Sequence, residues 1–330
     1  MTITREERIR GSIVGGAIGD ALGAGIEFLD LEEIEEEFGP GGVKTLTPYY
    51  GHDAPITDDT QMTLFTAEGL LVANSKGTDR VEEVWNAYQR WLCTQETASP
   101  DEIDPTEDGL IGIFDLHTRR APGNTCISAL KAGEPGTPSN RINGSKGCGG
   151  IMRAAPAGMV TSSDEEAYEL GCEIAALTHG HPCGWISAGV QAVMVRRLLE
   201  GESIQDAVDA GREMVVNDSR DRGVLEAIDS AIELASQNPL DGWKLSEVGL
   251  GWIGEEALAI AVACLLAQSD PNEALLLAVN HSGDSDSTGA IVGNLVGAHY
   301  GIDALREDWC REIELRSLLY SIADQIVSIS

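Results

Sequence analysis

Apolar residues recur with the spacing of an α-helix along most of the chain, and this pattern constrains the fold more than any other feature. Ile9, Ile13, Ala17 and Ala21 mark one face of a first helix, and small residues beside them permit close packing. Few segments alternate between apolar and polar residues; the Gly-Pro-Gly-Gly stretch at 39–42 and the following residues 43–50 could form a short extended piece. Further helices are predicted near residues 62–72, 81–92, 165–177, 183–200, 203–216, 223–236, 252–267, 271–280 and 287–300. The pattern therefore predicts an all-α protein.

Two segments rich in Pro, Gly, Asn and Asp, residues 97–109 and 131–149, are predicted to be loops. Neither segment is long enough or biased enough in composition to mark a domain boundary. No internal repeat is visible. We therefore expect a single compact domain that covers residues 1–330.

The chain has 54 Asp and Glu residues against 22 Lys and Arg residues, which gives a formal net charge of −32. A field of this sign repels nucleic acid and anionic membrane surfaces, so we expect neither as a partner. It also repels a free diphosphate, so a phosphate-bearing ligand needs strong local donors or metal ions. Two interpretations of the acidity stay open, an ordinary soluble surface and adaptation to a salty cytoplasm.

The seven cysteines are irregularly spaced and form no C-x-x-C pair. This argues against a disulfide framework or a zinc ribbon, and for a reducing compartment. The longest apolar run, residues 257–267, is too short to cross a membrane. Acidic residues flank or interrupt the N-terminal apolar stretch, so no signal peptide is predicted. We expect a cytoplasmic protein.

Two acidic clusters each lie just before a predicted helix. The first reads TDDT at residues 57–60, and the second reads DSDST at residues 284–288. One interpretation is helix capping, because Ser, Thr and Asp side chains accept hydrogen bonds from the free N–H groups of a helix start. A cap needs one oxygen, however, and each cluster offers several.

The other interpretation is a metal site built from oxygen ligands. If the clusters meet, Asp58, Asp59, Asp284 and Asp286 bring their negative charges close together, and without cations some of them would have to bind protons. Two divalent ions would balance that charge. Carboxylate, hydroxyl and water ligands without His or Cys suit Mg²⁺ or Mn²⁺ better than Zn²⁺. The clusters are far apart in sequence, so the residues alone leave both interpretations open.

Short glycine- and aspartate-containing motifs are spread over roughly residues 10–300. They read GGAIGDALG at 15–23 with EF at 27–28, ITDDTQM at 56–62, PGNT at 122–125, GCGGIMR at 147–153, THGHP at 178–182 and GDSDSTGA at 283–290. In this order they resemble the motifs of the ADP-ribosylglycohydrolase family. That family includes the dinitrogenase reductase-activating glycohydrolase and the mammalian ADP-ribosyl-acceptor hydrolases.

The resemblance implies a compact orthogonal helical bundle with two divalent cations, Mg²⁺ or Mn²⁺, in a central cleft. The implied metal ligands are Thr57, Asp58, Asp59, Asp284, Asp286 and Ser287. The family usually has Thr directly after the second Asp of the C-terminal motif; here Ser287 stands there, and Thr288 is the alternative hydroxyl ligand. Glu27 matches a glutamate near the metals or the substrate, and Glu27 and Asp59 are the predicted catalytic carboxylates.

A glycine-rich loop at residues 147–150 precedes a helix that is predicted to begin at Ile151. Backbone N–H groups of such a loop can hold phosphate oxygens, and the resemblance assigns the loop to the diphosphate of ADP-ribose. Alternatives stay open: a turn role for Asn124 or His179, and a loop-filling thiol or a nucleophile for Cys148. The predicted substrate-binding residues are Asn124, Gly147, Cys148, Gly149, Gly150, Ile151, Met152 and His179.

The reaction that the resemblance implies is metal-dependent hydrolysis of the glycosidic bond at C1″ of the distal ribose, which releases ADP-ribose from a modified acceptor. We expect an ADP-ribosyl-arginine protein as the substrate, on family grounds alone. The alternatives are a non-enzymatic ADP-ribose-binding or structural protein on the same fold, and a hydrolase of another ribosyl compound. A monomer is expected for a compact fold of this size.

Overall fold

The structure, a computed structural model, describes residues 3–96, 108–237 and 239–330. Within these ranges the regular elements are helices, and two isolated β-bridges are the only strand-like pairings. The prediction of an all-α fold is confirmed. The α-helices are α1 Arg5–Gly23, α2 Leu31–Phe38, α3 Asp58–Lys76, α4 Arg80–Glu96, α5 Asn124–Ala132, α6 Ala155–Met159, α7 Asp164–Ala176, α8 Pro182–Leu199, α9 Ile204–Asn217, α10 Gly223–Ala235, α11 Gly242–Leu245, α12 Gly254–Ala267, α13 Pro271–Val279, α14 Ser285–Tyr300, α15 Glu307–Glu312 and α16 Arg316–Val327.

Apolar side chains from most of these helices form one contiguous core. Helices α8 and α12 are buried on nearly every side, which explains why their sequences are apolar around the whole circumference. The single-domain boundary at residues 1–330 stays a prediction. Among the described residues, no helix combines the length and the apolar character needed to span a bilayer.

Helices α1 and α14 run antiparallel and touch along a row of glycines that we call the glycine seam. A Cβ atom added at Gly19 would lie 1.9 Å from the carbonyl oxygen of Gly289, and one added at Gly293 would lie 2.0 Å from that of Gly15. Residues four apart share one helix face, so the two backbones approach each other along several turns. The seam consists of Gly11, Gly15 and Gly19 on α1 with Gly297, Gly293 and Gly289 on α14.

Residues 39–50, the predicted extended piece, form no paired β-strand. The side chain of Asn280 accepts a hydrogen bond from the Val43 N–H group at 2.7 Å and donates to the Val43 carbonyl at 2.8 Å. This side-chain pairing replaces a strand partner. Only one bridge, between Tyr49 and His52, follows it.

The predicted loop at residues 131–149 is irregular apart from the end of α5 and the start of a short 3₁₀ turn. Of the other predicted loop, residues 97–107 lie outside the described residues. The predicted helices correspond to α1, α3, α4, α7 to α10 and α12 to α14. The pattern did not predict α2, α5, α6, α11, α15 and α16. Helix α2, for example, buries only Leu31 and Ile34.

Gly19→Ala and Gly293→Ala should each lower the free energy of unfolding by about 1–3 kcal/mol, because the added methyl group meets backbone that cannot move aside. Urea unfolding followed by circular dichroism measures this. Gly144→Ala is the matched control, since a Cβ atom there meets nothing within 4 Å. Wild-type stability of both seam variants would contradict the close backbone contact.

Candidate metal and substrate site

Asp20 on α1 holds the start of α3. Its carboxylate accepts hydrogen bonds from the Thr57 N–H group at 2.9 and 3.0 Å, from the Thr60 N–H group at 3.1 Å and from the Thr60 hydroxyl at 2.5 Å. Thr57 caps α3 by accepting from the Asp59 N–H group at 3.3 Å. Burial raises the pKa of Asp20 to about 6, against the lowering effect of these hydrogen bonds. Asp20 and Thr57 thus serve the helix start, which leaves the carboxylates of Asp58 and Asp59 outside the cap.

The second acidic cluster begins α14. Asp284 is the N-cap, and its Oδ1 accepts from the Ser287 N–H group at 3.4 Å. Asp286 Oδ1 accepts from the same N–H group at 2.9 Å. The Asp284 N–H group donates to the Leu250 carbonyl at 2.8 Å, which ties this helix start to the loop before α12. Capping therefore uses one oxygen of each aspartate and explains only part of the cluster.

The two candidate hydroxyl ligands of α14 point in different directions. Thr288 Oγ1 donates to the Asp284 carbonyl at 2.7 Å and lies 2.9 Å from His281 Nε2, so it is turned into the base of its own helix. Ser287 Oγ lies 3.7 Å from Cys148 Sγ, on the side of the glycine-rich loop. The geometry favours Ser287 over Thr288 as the hydroxyl of the candidate site.

The two clusters converge in one buried region together with Glu27. Carboxylate oxygens of Glu27, Asp284 and Asp286 lie within 4.8 Å of one another. Burial, followed by the charges of Asp286 and Asp58, raises the pKa of Asp59 well above its usual range. The first cluster therefore lies within electrostatic reach of the second, as the metal interpretation requires.

The converging carboxylates lack cationic partners. Among the described residues no Lys or Arg side chain forms an ion pair with them, and Glu27 Oε2 and Asp59 Oδ1 are buried without a hydrogen-bond partner. Burial and then Asp286 raise the pKa of Glu27 to about 10, and burial and then Asp20 raise that of Asp286 to about 7. An all-oxygen donor set with unbalanced negative charge fits hard divalent cations. The buried carboxylates of this region are Asp20, Glu27, Asp58, Asp59, Asp284 and Asp286.

The glycine-rich loop does not lead directly into a helix. Cys148–Gly150 is a 3₁₀ turn, residues 151–153 continue as turns, and α6 begins only at Ala155. The prediction of a helix that begins at Ile151 is therefore wrong, because the chain tightens into a 3₁₀ turn there. Ile151 and Met152 are buried behind the turn.

The glycines of this loop are required by packing as well. A Cβ atom at Gly149 would lie 3.0 Å from Cys126 Sγ, and one at Gly150 would lie 3.1 Å from the Gly184 carbonyl. Gly147 forms an isolated bridge with Ile253, which joins the loop to the segment before α12. Small residues at 149 and 150 are thus explained without a ligand.

Cys148 points from this loop toward the acidic region. Its thiol donates to Asp284 Oδ2 at 2.7 Å. Burial, followed by the charge of Asp284, raises the pKa of the Cys148 thiol well above its usual range. A protonated thiol is a poor nucleophile, so the arrangement favours the loop-filling role.

His179 is buried beneath the same loop. Its Nδ1 lies 2.8 Å from Thr178 Oγ1, which also accepts a hydrogen bond from Arg153 at 2.6 Å. Burial, followed by the positive charge of Arg153, lowers the pKa of His179 to about 3, so the imidazole is neutral. Arg153 in turn lies 4.2 Å from the centre of the Tyr88 ring. His179 therefore belongs to a rigid polar layer that supports the loop.

Asn124 is the first residue of α5 and borders a cleft of about 570 Å³ whose walls include Glu27, Phe28, Arg119 and Trp252. The rings of Phe28 and Trp252 are stacked, with centroids 5.9 Å apart. Both side chains are exposed, at 69% and 39%. The volume is within the usual range for small-molecule sites.

Sequence reasoning missed three residues of this region. Asp20 and Phe28 belong to the motifs at residues 15–23 and 27–28. An aspartate surrounded by apolar residues of one helix is itself a signal of a buried role. Trp252 was placed inside a predicted helix, but α12 begins at Gly254, so Trp252 lies in the preceding loop. Apolar periodicity identifies residues of helices, so it gives no signal for a binding residue in a loop.

The model of the family described as ADP-ribosylglycohydrolase matches residues 1–330. The chain belongs to the ADP-ribosylglycohydrolase family. A solved structure described as an ADP-ribosylglycohydrolase-related protein complex matches with a TM-score of 0.71 and 25% identity, covering 99% of this chain and 99% of that chain. Membership makes this chain a hydrolytic enzyme and confirms the resemblance that its motifs indicated.

Three relatives with similar levels of sequence identity carry different activities in their names. The ADP-ribosyl-[dinitrogen reductase] glycohydrolase of Rhodospirillum rubrum is 26% identical, covering 94% of this chain and 91% of that protein. The ADP-ribosylhydrolase ARH3 of Mus musculus is also 26% identical, covering 93% and 87%. The ADP-ribosylarginine hydrolase Tri1 of Serratia proteamaculans is 23% identical, covering 97% and 79%.

In EDTA the melting temperature should fall as the pH rises from about 5 to about 8. The pKa values of Asp20 and Asp286 in the folded chain are about 6 and about 7, above the usual 3.8, so stability that is present while both are protonated is lost as they ionise. Mg²⁺ or Mn²⁺ should raise the melting temperature more at the higher pH, because the ligands must be deprotonated. Asp286→Asn should weaken both trends. A cation effect equal at both pH values would contradict the assignment.

Cys148→Ser should keep most of the hydrolytic activity, within about threefold of wild type, since a hydroxyl can still donate to Asp284. Steady-state hydrolysis rates at saturating cation provide the measurement. An inactive but folded Cys148→Ser protein would instead support a nucleophilic role for the Cys148 thiol.

Proposed function

We propose that this enzyme hydrolyses the glycosidic bond at C1″ of the distal ribose of ADP-ribose and requires two divalent cations, Mg²⁺ or Mn²⁺. The observation that carries the proposal is the buried convergence of acidic side chains from α1, α3, α14 and the loop after α1, with no cationic side chain of the described residues among them. Burying that much like charge is unfavourable unless cations compensate it. The proposed ligands are Thr57, Asp58, Asp59, Asp284, Asp286 and Ser287.

When bound, such cations supply positive charge for the ribose hydroxyls and lower the pKa of a bound water. Asp20 keeps Thr57 and Asp59 in place through the start of α3. Asp284 and Asp286 are held by the first turn of α14. The protein thus presents its donor oxygens from two helix starts whose positions are fixed by hydrogen bonds within the protein.

Glu27 is proposed to orient water or to move a proton, with Asp59 as the second catalytic carboxylate. Glu27 lies beside Asp284 and Asp286 and also lines the open cleft, so it connects the acidic region with the space available to a substrate. Its Oε2 has no hydrogen-bond partner among the residues that the structure describes. A carboxylate in this position can hold a proton that a reacting group gives up or takes.

The remaining substrate contacts are proposed for the glycine-rich loop and its support. Gly147, Cys148, Gly149 and Gly150 would hold the diphosphate, with Ile151, Met152 and His179 behind them and Asn124 across the cleft. Support comes from the position of Cys148, whose thiol contacts Asp284 and so joins the loop to the acidic region. The loop acts here without a helix N-terminus, because α6 begins later and is short.

For the acceptor we propose an arginine side chain of a modified protein. The name of the Serratia relative supports this choice, and a chain of net charge −32 favours the approach of a cationic guanidinium. The positive charge of Arg119 at the cleft wall would oppose the approach of the guanidinium locally. The cysteines of the described residues form no disulfide, which supports a reducing location such as the cytoplasm.

Incubation with ADP-ribosyl-arginine peptide, in Mg²⁺ or Mn²⁺, should release ADP-ribose, and EDTA should abolish the release. An ADP-ribosyl-serine peptide is the matched comparison, and release from it alone would move the acceptor assignment to serine. Release from neither peptide, with calorimetric proof of cation binding, would redirect the search to other ribosyl compounds. Full activity in EDTA would overturn the metal requirement.

Asp58→Asn and Asp286→Asn should each reduce hydrolysis by at least about a hundredfold and weaken cation binding, because each removes a charged ligand. Helix content should stay unchanged, since neither Asp58 nor Asp286 belongs to the apolar core. Asp53→Asn is the matched control at an exposed aspartate close in sequence. Full turnover by both site variants would show that the metal assignment is wrong.

A further inference from the structure

A second group of potential metal ligands lies outside the acidic region. His181 is the N-cap of α8, Cys183 lies in the first turn of that helix, and Asp221 lies two residues before α10. One ligand atom of each residue lies within 4.8 Å of the other two. Cys183 is buried, whereas His181 and Asp221 are half-buried, so solvent reaches the edge of the group.

Local hydrogen bonds explain part of this arrangement. His181 Nδ1 accepts from the Cys183 N–H group at 3.2 Å, and Asp221 Oδ1 accepts from the Gly223 N–H group at 2.7 Å. The first contact caps α8, and the second closes the turn that precedes α10. Capping does not need a thiol, however, and Cys183 Sγ lies 3.3 Å from Asp221 Oδ1. Three different donor elements, nitrogen, sulfur and oxygen, are therefore brought together.

The charges around the group also favour a cation. In the part of the chain that the structure describes, no Lys or Arg side chain forms an ion pair with Asp221. Glu255 pairs through one oxygen with Lys146, and its other oxygen, Oε2, is buried without a hydrogen-bond partner. The charges of Glu255, Asp221 and Lys146 all act on Cys183. Two carboxylates thus face one ammonium group, which leaves the surroundings of the thiol negative.

We propose that His181, Cys183 and Asp221 bind Zn²⁺, or a divalent cation of similar ligand preference, at a site separate from the acidic region. Imidazole and thiolate ligands select such ions over Mg²⁺. Three protein ligands leave a fourth position for water. On binding, the Cys183 thiol loses its proton to solvent, and the ion replaces the long contact between His181 and the backbone of Cys183.

The site adjoins the segment that leads into the glycine-rich loop. The His181 N–H group donates to the Ser145 carbonyl at 3.0 Å, and the Gly254 N–H group donates to the Lys146 carbonyl at 2.8 Å. An ion bound there would join the start of α8 to the start of α10 beside these contacts. Binding of Zn²⁺ should therefore also raise the melting temperature.

Co²⁺ titration of the full chain, in excess Mg²⁺ to fill the acidic region, tests the proposal. Co²⁺ serves as the probe because a thiolate ligand produces a charge-transfer absorption in the near ultraviolet. The absorption should saturate at about one Co²⁺ per chain and disappear when Zn²⁺ is added. No such absorption in the wild-type chain would overturn the proposal.

Variants identify the thiolate. Cys183→Ser should abolish the absorption and Asp221→Asn should weaken Co²⁺ binding at least tenfold, with helix content unchanged in both. Cys310→Ser, at a half-buried cysteine elsewhere, and Cys148→Ser should leave the absorption as in wild type. Loss of the absorption in Cys148→Ser with retention in Cys183→Ser would overturn the proposal, because the ion would then lie beside Asp284.

Discussion

The contact between α1 and α14 along the glycine seam is the constraint on which the rest of the site depends. Glycine at 15, 19, 289 and 293 lets two backbones touch, and a Cβ atom on either side would push the helices apart. At the end of the seam, a Cβ atom at Gly23 would lie 2.3 Å from the Asp286 backbone nitrogen. The seam therefore places the start of α14 beside the end of α1. Asp20 lies in the last turn of α1, and Glu27 follows in the next loop.

The acidic clusters show that capping and ligand presentation need not compete. Asp20 and Thr57 satisfy backbone donors at the start of α3, and one oxygen of Asp284 does the same for α14. Both helix starts are thereby fixed, and the remaining oxygens stay available in a buried region. Like charges in such a region oppose folding at neutral pH, so cations link the stability of this fold to its proposed chemistry.

The loop over this region is held mainly by neutral and packed groups. His179 is neutral, Arg153 is occupied by Thr178 and by the face of Tyr88, and Gly149 leaves room for Cys126. Cys148 then connects the loop to Asp284. Because neutral groups support the loop, basic side chains stay away from the carboxylates. The region therefore keeps the negative potential that attracts divalent cations.

The sequence by itself determined the helical class, most of the longer helices and the two acidic clusters, because apolar periodicity and bunched oxygen donors are local properties of the chain. It missed α2, where only two buried residues carry the helical pattern, and it missed Trp252, which lies in a loop. It also wrongly began a helix at Ile151. Its motifs identified the family, but the residues alone left both capping and metal binding open as interpretations of Asp58 and Asp284. Only the tertiary structure decided that these residues converge, that Ser287 and not Thr288 faces the loop, and that His181, Cys183 and Asp221 meet. The physical reason is that such proximity depends on backbone packing between distant helices, which no local pattern encodes.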